Sequence, residues 1–267
     1  MTAPKGARRG PEGLRALERA TTILRTLAER PAGLSLVDLA KATELPMSTV
    51  HRLLGVLRQV DLVRETPAGL HALGPGTVVL AGAFLDGLDL RAEAQPAMRR
   101  IVDATGETCH LGVLAAAHIV YLEKIDSPQS VRMVSRVGGT NPALTTAIGR
   151  SILAYSPDEV VAETLEASER LLVTRMDPER LRHLLESVRR DGYSTDLEDN
   201  EVGICCVGAP IFDHLGGVAS ALSVSAPTVR FDRSRAPELG RLVRAEADTV
   251  SRALGWTGAP SVEGERG

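Results

Sequence analysis

The first quarter of the chain is divided by glycine and proline into three short helical segments. Leu14 to Glu29 carries apolar residues at three- and four-residue spacing, which predicts a helix that stops at Pro31. Ser35 precedes a short apolar stripe and predicts the N-cap of a second helix. Pro46 suits the first turn of a third helix, which we expect to run to about Val60. Three short helices joined by tight turns therefore define this part of the chain.

A pair of strand-like runs follows the third helix. Residues 62–65 and 70–73 flank Thr66-Pro67-Ala68-Gly69, which predicts a two-stranded hairpin. Three short helices and a hairpin predict a winged helix-turn-helix. Gly74-Pro75-Gly76 then breaks the chain, and Thr77 to Phe84 predicts a linker helix.

The third helix has two different faces. Val50, Leu53, Leu54 and Leu57 project together as a buried face. The opposite face is polar, and such a face can enter a major groove, where Arg reads guanine and Gln reads adenine. The alternative is an ordinary solvated face, but the helix spacing, the hairpin and the local charge together favour DNA contact. The candidate DNA-binding residues are Ser48, Thr49, His51, Arg52, Gly55, Gln59 and Arg64.

Two members of this set are open to more than one interpretation. Gly55 lies in mid-helix, where glycine costs about 1 kcal/mol against alanine, so we interpret it as a point of close backbone approach. Arg52 could read a base, clamp a phosphate or pair with an acid of the same domain.

The charges are distributed unevenly along the chain. Residues 1–75 carry a net charge of +4, and the remainder carries −7. A basic front suits contact with phosphate, although chance variation in solvated faces could produce the same balance.

The rest of the chain, from about Asp89, predicts a mixed α+β domain with a mostly antiparallel sheet. The expected helices are 91–105, 144–155, 157–168, 178–190 and 236–254. The expected strands are 107–115, 118–126, 130–137, 203–212 and 217–226.

Several function classes lack their motifs. The chain has no G-x-S-x-G, no P-loop, no G-x-G-x-x-G after a strand and no H-E-x-x-H, so we expect no catalytic residues and no enzymatic activity. Cys109 and His110 are neighbours on an expected strand, so their side chains point to opposite faces and cannot form a catalytic dyad. The three cysteines fit neither a disulfide framework nor a zinc site. We expect no metal, no cofactor, no signal peptide, no membrane partner and a cytoplasmic location.

Four segments in this order and spacing resemble the IclR family of bacterial regulators. They are ALERATTILRTLAE, LSLVDLAKATELPMSTVHRLLGVLRQVDLV, PALTTAIGRSILAY and GYSTDLEDNEVGICCVGAPIFDHLGGVASALSVSAP. The resemblance covers nearly all of residues 14–254. It implies a homodimer, or a dimer of dimers, that binds a palindromic double-stranded DNA operator. It also implies a C-terminal GAF-like domain that binds a small-molecule effector, often a carboxylate.

The resemblance also implies an effector site. Its polar groups match Asp196, Cys206, Ser223 and Ser225, and its apolar walls match Met133, Ala147, Ile148 and Gly149. One departure concerns Gly149-Arg150-Ser151, where the family commonly shows Gly-Lys-Ala. A larger, forked cation near the pocket is expected to alter which ligand is held.

The residues themselves support this site. Strand alternation places Ala221, Ser223 and Ser225 on one small, hydroxyl-bearing face. Thr145 to Gly149 is expected to open a helix whose free N–H groups suit a carboxylate. Ordinary alternatives exist for each group: a satisfied core hydroxyl, a cysteine acting as a small hydrophobe, and a solvated Asp196.

The predicted organisation has five parts. A disordered arm at 1–12 precedes a winged helix-turn-helix at 13–75, a linker helix at 76–88, an effector-binding domain at 89–256 and a loose tail at 257–267. The expected function is a sequence-specific DNA-binding regulator modulated by a small, anionic metabolite. The alternative is a ligand-independent regulator whose C-terminal domain only oligomerises.

Overall fold

The computed structural model describes residues 12–87 and 89–258, which form two compact units divided at Leu88 and Asp89. The predicted arm at 1–12 and tail at 257–267 lie almost entirely outside the described residues. Within those residues, no helix is both long and apolar enough to cross a membrane.

The first unit is a winged helix-turn-helix, as predicted. Its elements are α1 (Glu12–Ala28), α2 (Leu36–Thr43), α3 (Met47–Gln59), β1 (Val63–Glu65), β2 (His71–Leu73) and α4 (Gly76–Asp86). Strands β1 and β2 pair antiparallel, and a bridge from Leu34 to His71 joins the segment before α2 to the hairpin.

Local chemistry sets the ends of α2. The hydroxyl of Ser35 accepts a hydrogen bond from the backbone N–H of Asp38, so it acts as the predicted N-cap. Glu44 ends the helix in the left-handed conformation, with φ of 54°. The resulting tight turn brings α3 across α2. The small core that holds these helices together contains Ile23, Leu27, Leu39, Val50, Leu53, Leu54, Leu57 and Val63.

The second unit combines six strands with five helices in the described part of the chain. The helices are α5 (Leu90–Thr105), α6 (Ala147–Leu153), α7 (Asp158–Arg170), α8 (Pro178–Asp191) and α9 (Ala236–Ala253). The strands are β3 (Thr108–Ala115), β4 (His118–Ile125), β5 (Thr140–Pro142), β6 (Ser194–Leu197), β7 (Ile204–Phe212) and β8 (Val218–Pro227).

The six strands form one antiparallel sheet in the order β5-β4-β3-β8-β7-β6. Helices α5 and α9 pack together on one face of this sheet, and α6 packs on the other. Strand β8 is central and is buried along nearly its whole length, because both of its faces are covered. Consecutive residues of β8 therefore face different helices.

Three sequence predictions in this unit differ from the structure. The strand predicted at 130–137 is absent, and its place at the edge of the sheet is taken by β5. The segment is rich in valine, which favours strands, but Val131 and Val134 are exposed and pair with no strand among the described residues. Strand β6 was not predicted, because its sequence Ser-Thr-Asp-Leu is short and polar. Helix α6 is also shorter than the predicted 144–155.

Helix α6 lies unusually close to the sheet because glycines meet at the contact. A Cβ on Gly149 would overlap the backbone carbonyl oxygen of Ala143. A Cβ on Gly208 would come within 3.0 Å of the Ala147 backbone, and one on Gly112 within 3.2 Å of the Ile148 side chain. The helix is therefore positioned by backbone contacts that leave no room for a side chain.

We predict that Gly149→Ala destabilises the second unit by roughly 2 kcal/mol or more, because overpacking against a backbone carbonyl cannot be relieved by a rotamer change. Trp256 is the sole tryptophan of the chain and stacks on Phe212, so its fluorescence reports unfolding of this unit during urea denaturation. The matched control is Gly217→Ala, whose Cβ would meet only the Asp213 carboxylate at 3.4 Å. Equal midpoints for the two variants would contradict the prediction.

Candidate functional site

Helix α3 presents the two faces that its sequence predicts. Val50, Leu53, Leu54 and Leu57 are buried in the core of the first unit. The other predicted DNA-binding positions of this helix are exposed, with Thr49 half-buried at the edge: Ser48, His51, Arg52, Gly55 and Gln59. The structure therefore places this set on the outside of the unit.

The basic groups around α3 divide into paired and unpaired ones. Arg58 forms an ion pair with Glu65 of β1, with 3.0 Å between nitrogen and oxygen, and so ties the helix to the hairpin. Among the described residues, Arg52 and Arg64 form no ion pair, and both are exposed. Intradomain pairing of Arg52, one of the alternatives left open by its sequence, is thus not observed.

Gly55 has no packing role within the chain. A Cβ built on it meets nothing within 4 Å. The helix therefore keeps a bare patch of backbone on its outward face, although alanine there would favour the helix by about 1 kcal/mol.

Three predicted effector residues form a row across adjacent strands of the second unit. Asp196 on β6 pairs in register with Cys206 on β7, and Cys206 pairs with Ser225 on β8. Ser223 lies two residues along β8, beside Gly208 of β7 and His110 of β3. Because strand alternation turns these side chains to the same side, they share the face covered by α6. We call this set of five polar residues, Asp196, Cys206, Ser223, Ser225 and His110, the polar face.

Hydrogen bonds link the members of the polar face. The Cys206 thiol donates to the Ser225 hydroxyl at 3.1 Å, and that hydroxyl lies 3.4 Å from Nδ1 of His110. On its other side, Nε2 of His110 lies 2.7 Å from the Ser135 hydroxyl. The imidazole therefore connects the sheet to the segment that precedes β5.

His110 and Tyr121 are site residues that sequence reasoning did not identify as binding groups. The two rings lie 4.6 Å apart, and Asn141 donates to the Tyr121 hydroxyl at 3.0 Å. The sequence predicts a strand at His110, and this residue was considered only as a catalytic partner of Cys109. Its register opposite Ser223 could have been found only by knowing that β3 pairs with β8, which are more than 100 residues apart.

Asp196 is almost completely buried, so the alternative interpretation of a solvated acid is wrong. Its Oδ1 accepts hydrogen bonds from the backbone N–H groups of Asp199 at 2.9 Å and Asn200 at 3.2 Å. Burial raises the pKa of Asp196 from 3.8 to about 6, although these two N–H groups and the charge of Arg150 oppose the shift. The carboxyl group thus takes up a proton near pH 6.

The other groups of the polar face are electrically neutral at physiological pH. Burial, together with the nearby charge of Lys124, lowers the pKa of His110 to about 3. Burial likewise raises the pKa of the Cys206 thiol far above its ordinary value. The face therefore offers hydroxyl, thiol and imidazole groups that carry no charge.

Arg150 is a buried guanidinium that ties three segments together. Its Nε donates to the Leu144 carbonyl at 2.9 Å, and its Nη1 contacts both the Thr195 carbonyl and Asp199, each at 2.8 Å. Its Nη2 is buried and has no hydrogen-bond partner among the described residues. This departure from the family pattern thus anchors α6 to β6 and to the loop that Asp196 caps.

The predicted wall residues are all buried at the start of α6 and beside it. Met133, Ala147, Ile148 and Gly149 are inaccessible to solvent or nearly so. Helix α6 begins at Ala147 and has only seven residues, and the Thr146 hydroxyl already accepts from the N–H of Gly149. This one N–H is therefore not available to a ligand carboxylate.

The structure describes no set of side chains suited to a metal ion. Among the described residues, no group of three or more His, Cys, Asp or Glu side chains converges. The three cysteines are free and buried, and burial raises the pKa of both Cys109 and Cys206.

Comparison with known proteins gives matches over both units. A family model for the IclR helix-turn-helix domain matches residues 16–67, and one described as "Bacterial transcriptional regulator IclR C-terminal" matches residues 82–252. The transcriptional regulator KdgR of Escherichia coli is 33% identical over 94% of this chain and 96% of its own length. The transcriptional repressor AllR of the same species is 30% identical over 93% of each chain. The crystal structure of Pseudomonas aeruginosa HmgR superposes with a TM-score of 0.77 at 28% identity, covering 92% of this chain and 100% of HmgR. KdgR and AllR are described as a transcriptional regulator and a transcriptional repressor, and neither is described as an enzyme.

We predict that Asp196 makes the second unit less stable as pH rises from about 4 to 7. Its pKa is higher in the folded protein than the unfolded value of 3.8, so its contribution to stability is complete below pH 3.8 and is lost as pH rises through about 6. Asp196→Asn keeps an oxygen acceptor for the two N–H groups and does not titrate. Relative to the unchanged protein, the variant should gain roughly 2 kcal/mol between pH 4 and pH 7.

Urea denaturation followed by Trp256 fluorescence at several pH values measures this difference. Asp158→Asn, at the exposed start of α7, is the matched control and should show a constant difference. Parallel pH profiles for Asp196→Asn and the unchanged protein would refute the assignment.

Proposed function

Because the chain belongs to the IclR family of bacterial transcriptional regulators, we propose that it binds a palindromic operator as a homodimer and that a small, anionic metabolite modulates this binding. That it is a DNA-binding transcriptional regulator follows from family membership. The DNA-reading residues, the oligomer and the effector are our proposals. A regulator of bacterial genes works where the DNA is, so we expect a cytoplasmic location.

The observation that supports the DNA interface is the exposed outward face of α3. It combines an unpaired guanidinium, Arg52, with hydroxyl and amide groups and with the bare backbone at Gly55. Arg and Gln side chains can read base edges in the major groove, and Ser and Thr can bind bases or phosphates. We propose that Arg64, exposed on the hairpin, contacts the DNA backbone beside this groove.

A homodimer is supported by the composition of α4. This helix has no charged residue before its end at Asp86, and in the single chain Val78, Val79 and Leu80 are each more than 60% exposed. A helix that is apolar on all sides is expected to be covered. We propose that a second copy of the chain covers it, which would also bring two α3 helices to the two halves of a palindrome. Whether two such dimers then associate is a separate question of assembly.

The observation that carries the sensing proposal is the polar face. Asp196, Cys206 and Ser225 lie in one row beneath α6, with Ser223 and His110 beside them, and apolar residues surround them. A few convergent polar groups within apolar walls are the usual composition of a small-molecule site. We propose that Met133, Ala147, Ile148 and Gly149 form its walls.

An anionic ligand imposes a condition on Asp196. The polar face contains this one ionisable acid near its neutral donors, and Lys124 is already engaged by Asp126 and by the Ser135 carbonyl. A carboxylate beside an ionised Asp196 would be repelled. We propose that Asp196 is protonated in the complex and that the ligand carboxylate accepts from the hydroxyls of Ser223 and Ser225.

The ligand would act through the arrangement of the two DNA-reading helices. It can shift operator affinity only if it favours one arrangement over another. Coupling of about 1–3 kcal/mol is typical and corresponds to roughly 5- to 150-fold in affinity. AllR is a repressor, and we propose the same direction of control here, with the effector weakening operator binding.

The competing function is a regulator whose second unit only oligomerises. A thermal-shift screen with small hydroxy- and oxo-acids separates the two. A bound ligand raises the unfolding temperature by mass action, whereas an oligomerisation domain shows no saturable shift.

We predict that Arg52→Ala weakens operator binding by about 1–3 kcal/mol, and that Gly55→Leu weakens it while stabilising the free protein. The second result follows because a side chain at Gly55 has free space in the chain itself. Fluorescence anisotropy with operator DNA at several salt concentrations measures both effects. Arg30→Ala, outside α3 and the hairpin, is the control.

Affinity should also fall steeply with salt, because basic side chains release counterions from DNA. Both half-sites should be needed for full affinity. If both variants are folded and bind the operator normally, α3 is not the helix that reads the DNA. Full affinity for a single half-site would argue against the dimer.

We predict that Ser223→Ala with Ser225→Ala lowers the affinity for any acid identified by the screen and leaves ligand-free operator binding near normal. The two substitutions remove the proposed hydroxyl donors without creating a large cavity. Isothermal calorimetry measures the ligand, with Ser187→Ala on α8 as the matched control. Undiminished affinity in the double variant would place the ligand elsewhere.

We predict that affinity for such an acid falls as pH rises from 6 to 8. If binding requires a protonated Asp196, each binding event at a pH above the Asp196 pKa of about 6 takes up one proton. Affinity for the acid should therefore fall about tenfold per pH unit in this range. Asp196→Asn cannot lose a proton at this site and should bind with little dependence on pH. A slope that is unchanged in this variant would show that another group takes up the proton.

A further inference from the structure

A second cavity lies on the opposite side of the sheet from the polar face. It has a volume of about 280 Å³, near the lower end of the range of roughly 300–1,000 Å³ typical of small-molecule sites. Val224 and Ala226 of β8 line it. Because they alternate with Ser223 and Ser225, their side chains point toward α5 and α9 rather than toward α6. The cavity is therefore separate from the proposed effector site.

Half of the twelve residues that line the cavity are apolar. They belong to α5, β8, the segment after β8, and α9: Ala104, Val224, Ala226, Phe231, Leu239 and Leu242. Phe231 and Ala226 are buried and so belong to the floor and sides. Binding of a ligand with an apolar body would be stabilised by the transfer of its apolar surface from water to these residues.

Both arginines at the cavity are already ion-paired. Arg230 binds Glu107 through Nε and Nη2, with oxygens at 2.6 and 2.7 Å. Arg235 binds Glu238 in the same way, at 3.0 and 3.2 Å. Asp232 is exposed and accepts from the N–H and hydroxyl of Ser234.

This pairing limits the charge of an occupant. A carboxylate head would approach two arginines that are already neutralised and three carboxylates that line the same space. An ammonium head inside the cavity would lose its water, and the one lining acid without an ion pair, Asp232, is exposed and already accepts two hydrogen bonds from Ser234. A neutral hydroxyl or carbonyl avoids both costs, and it can still use the guanidinium N–H groups and carboxylate lone pairs that the ion pairs leave free.

We propose that this cavity is a second ligand site, which binds a small uncharged amphipathic molecule: an apolar ring or short chain that ends in one hydroxyl or carbonyl group. The apolar body lies against Val224, Ala226 and Leu242, and the polar head lies at the mouth beside Arg230 and Glu107.

Three probes of matched size test the class of ligand: p-cresol, which is neutral, p-toluate, which is anionic, and 4-methylbenzylamine, which is cationic at neutral pH. Each is titrated into the full chain by isothermal calorimetry. The expected result is one p-cresol site per chain, with binding of the charged probes at least about tenfold weaker, because the head of each must be desolvated or repelled. Tighter binding of either charged probe, or no saturable binding of p-cresol, overturns the proposal.

Two variants test the location. Ala226→Leu fills the cavity from the sheet and Leu242→Phe fills it from α9, and each should reduce p-cresol affinity by about tenfold or more. Circular dichroism and Trp256 fluorescence check that each is folded, and either folded variant suffices for the test. The matched control is Ala162→Leu on the exposed side of α7.

The double variant Ser223→Ala and Ser225→Ala separates this site from the polar face. It should bind p-cresol as the unchanged protein does. Loss of p-cresol binding in the serine variant, or full binding in the two filled variants, would show that the probe occupies another place.

Discussion

The close approach of α6 to the sheet is the contact on which the second unit depends. Gly149 meets the backbone of Ala143, and Gly208 and Gly112 allow the helix to lie against β7 and β3. The same approach buries the row formed by Asp196, Cys206 and Ser225, and burial in turn sets the protonation of these groups. A larger side chain at Gly208 or Gly112 would push against Ala147 or Ile148 of α6 and move the helix away from the sheet. The backbone contacts of α6 therefore determine the chemical environment of the polar face.

In the first unit, the corresponding constraint is the packing that fixes the orientation of α3. Its core fixes the rotation of α3 through Val50, Leu53, Leu54 and Leu57, so the opposite face has no freedom to turn inward. The Arg58–Glu65 pair, exposed and thus weak, joins the helix to the hairpin. On the outward face, Arg52 forms no ion pair among the described residues, so a polyanion can pair with it.

Much of this architecture could be predicted from local patterns, and the failures have identifiable physical causes. The 3.6-residue period located α3 and its buried face, and the Ser35 cap located the start of α2. The prediction failed at 130–137, where a valine-rich segment is irregular, and at β6, whose sequence has no apolar alternation. Asp196 was judged open to solvation because its neighbours in sequence are acidic. Its burial depends on β6 joining the sheet edge and on Arg150 holding the following loop, which are long-range contacts. His110 was missed for the same reason, since its role depends on the pairing of β3 with β8.

Residues 222–226 of strand β8 alternate between two faces: Ser223 and Ser225 point toward α6, and Leu222, Val224 and Ala226 point toward α5 and α9. This arrangement restricts how the gene can change. A one-residue insertion or deletion within β8 would exchange the two faces beyond it, placing hydroxyls in the apolar cavity and apolar groups under α6. A two-residue change would preserve both. The irregular register at Ile211 and Phe212 is the place where an odd residue can be absorbed without that exchange. A change of odd length within β8 should therefore be accompanied by a change in this bulge.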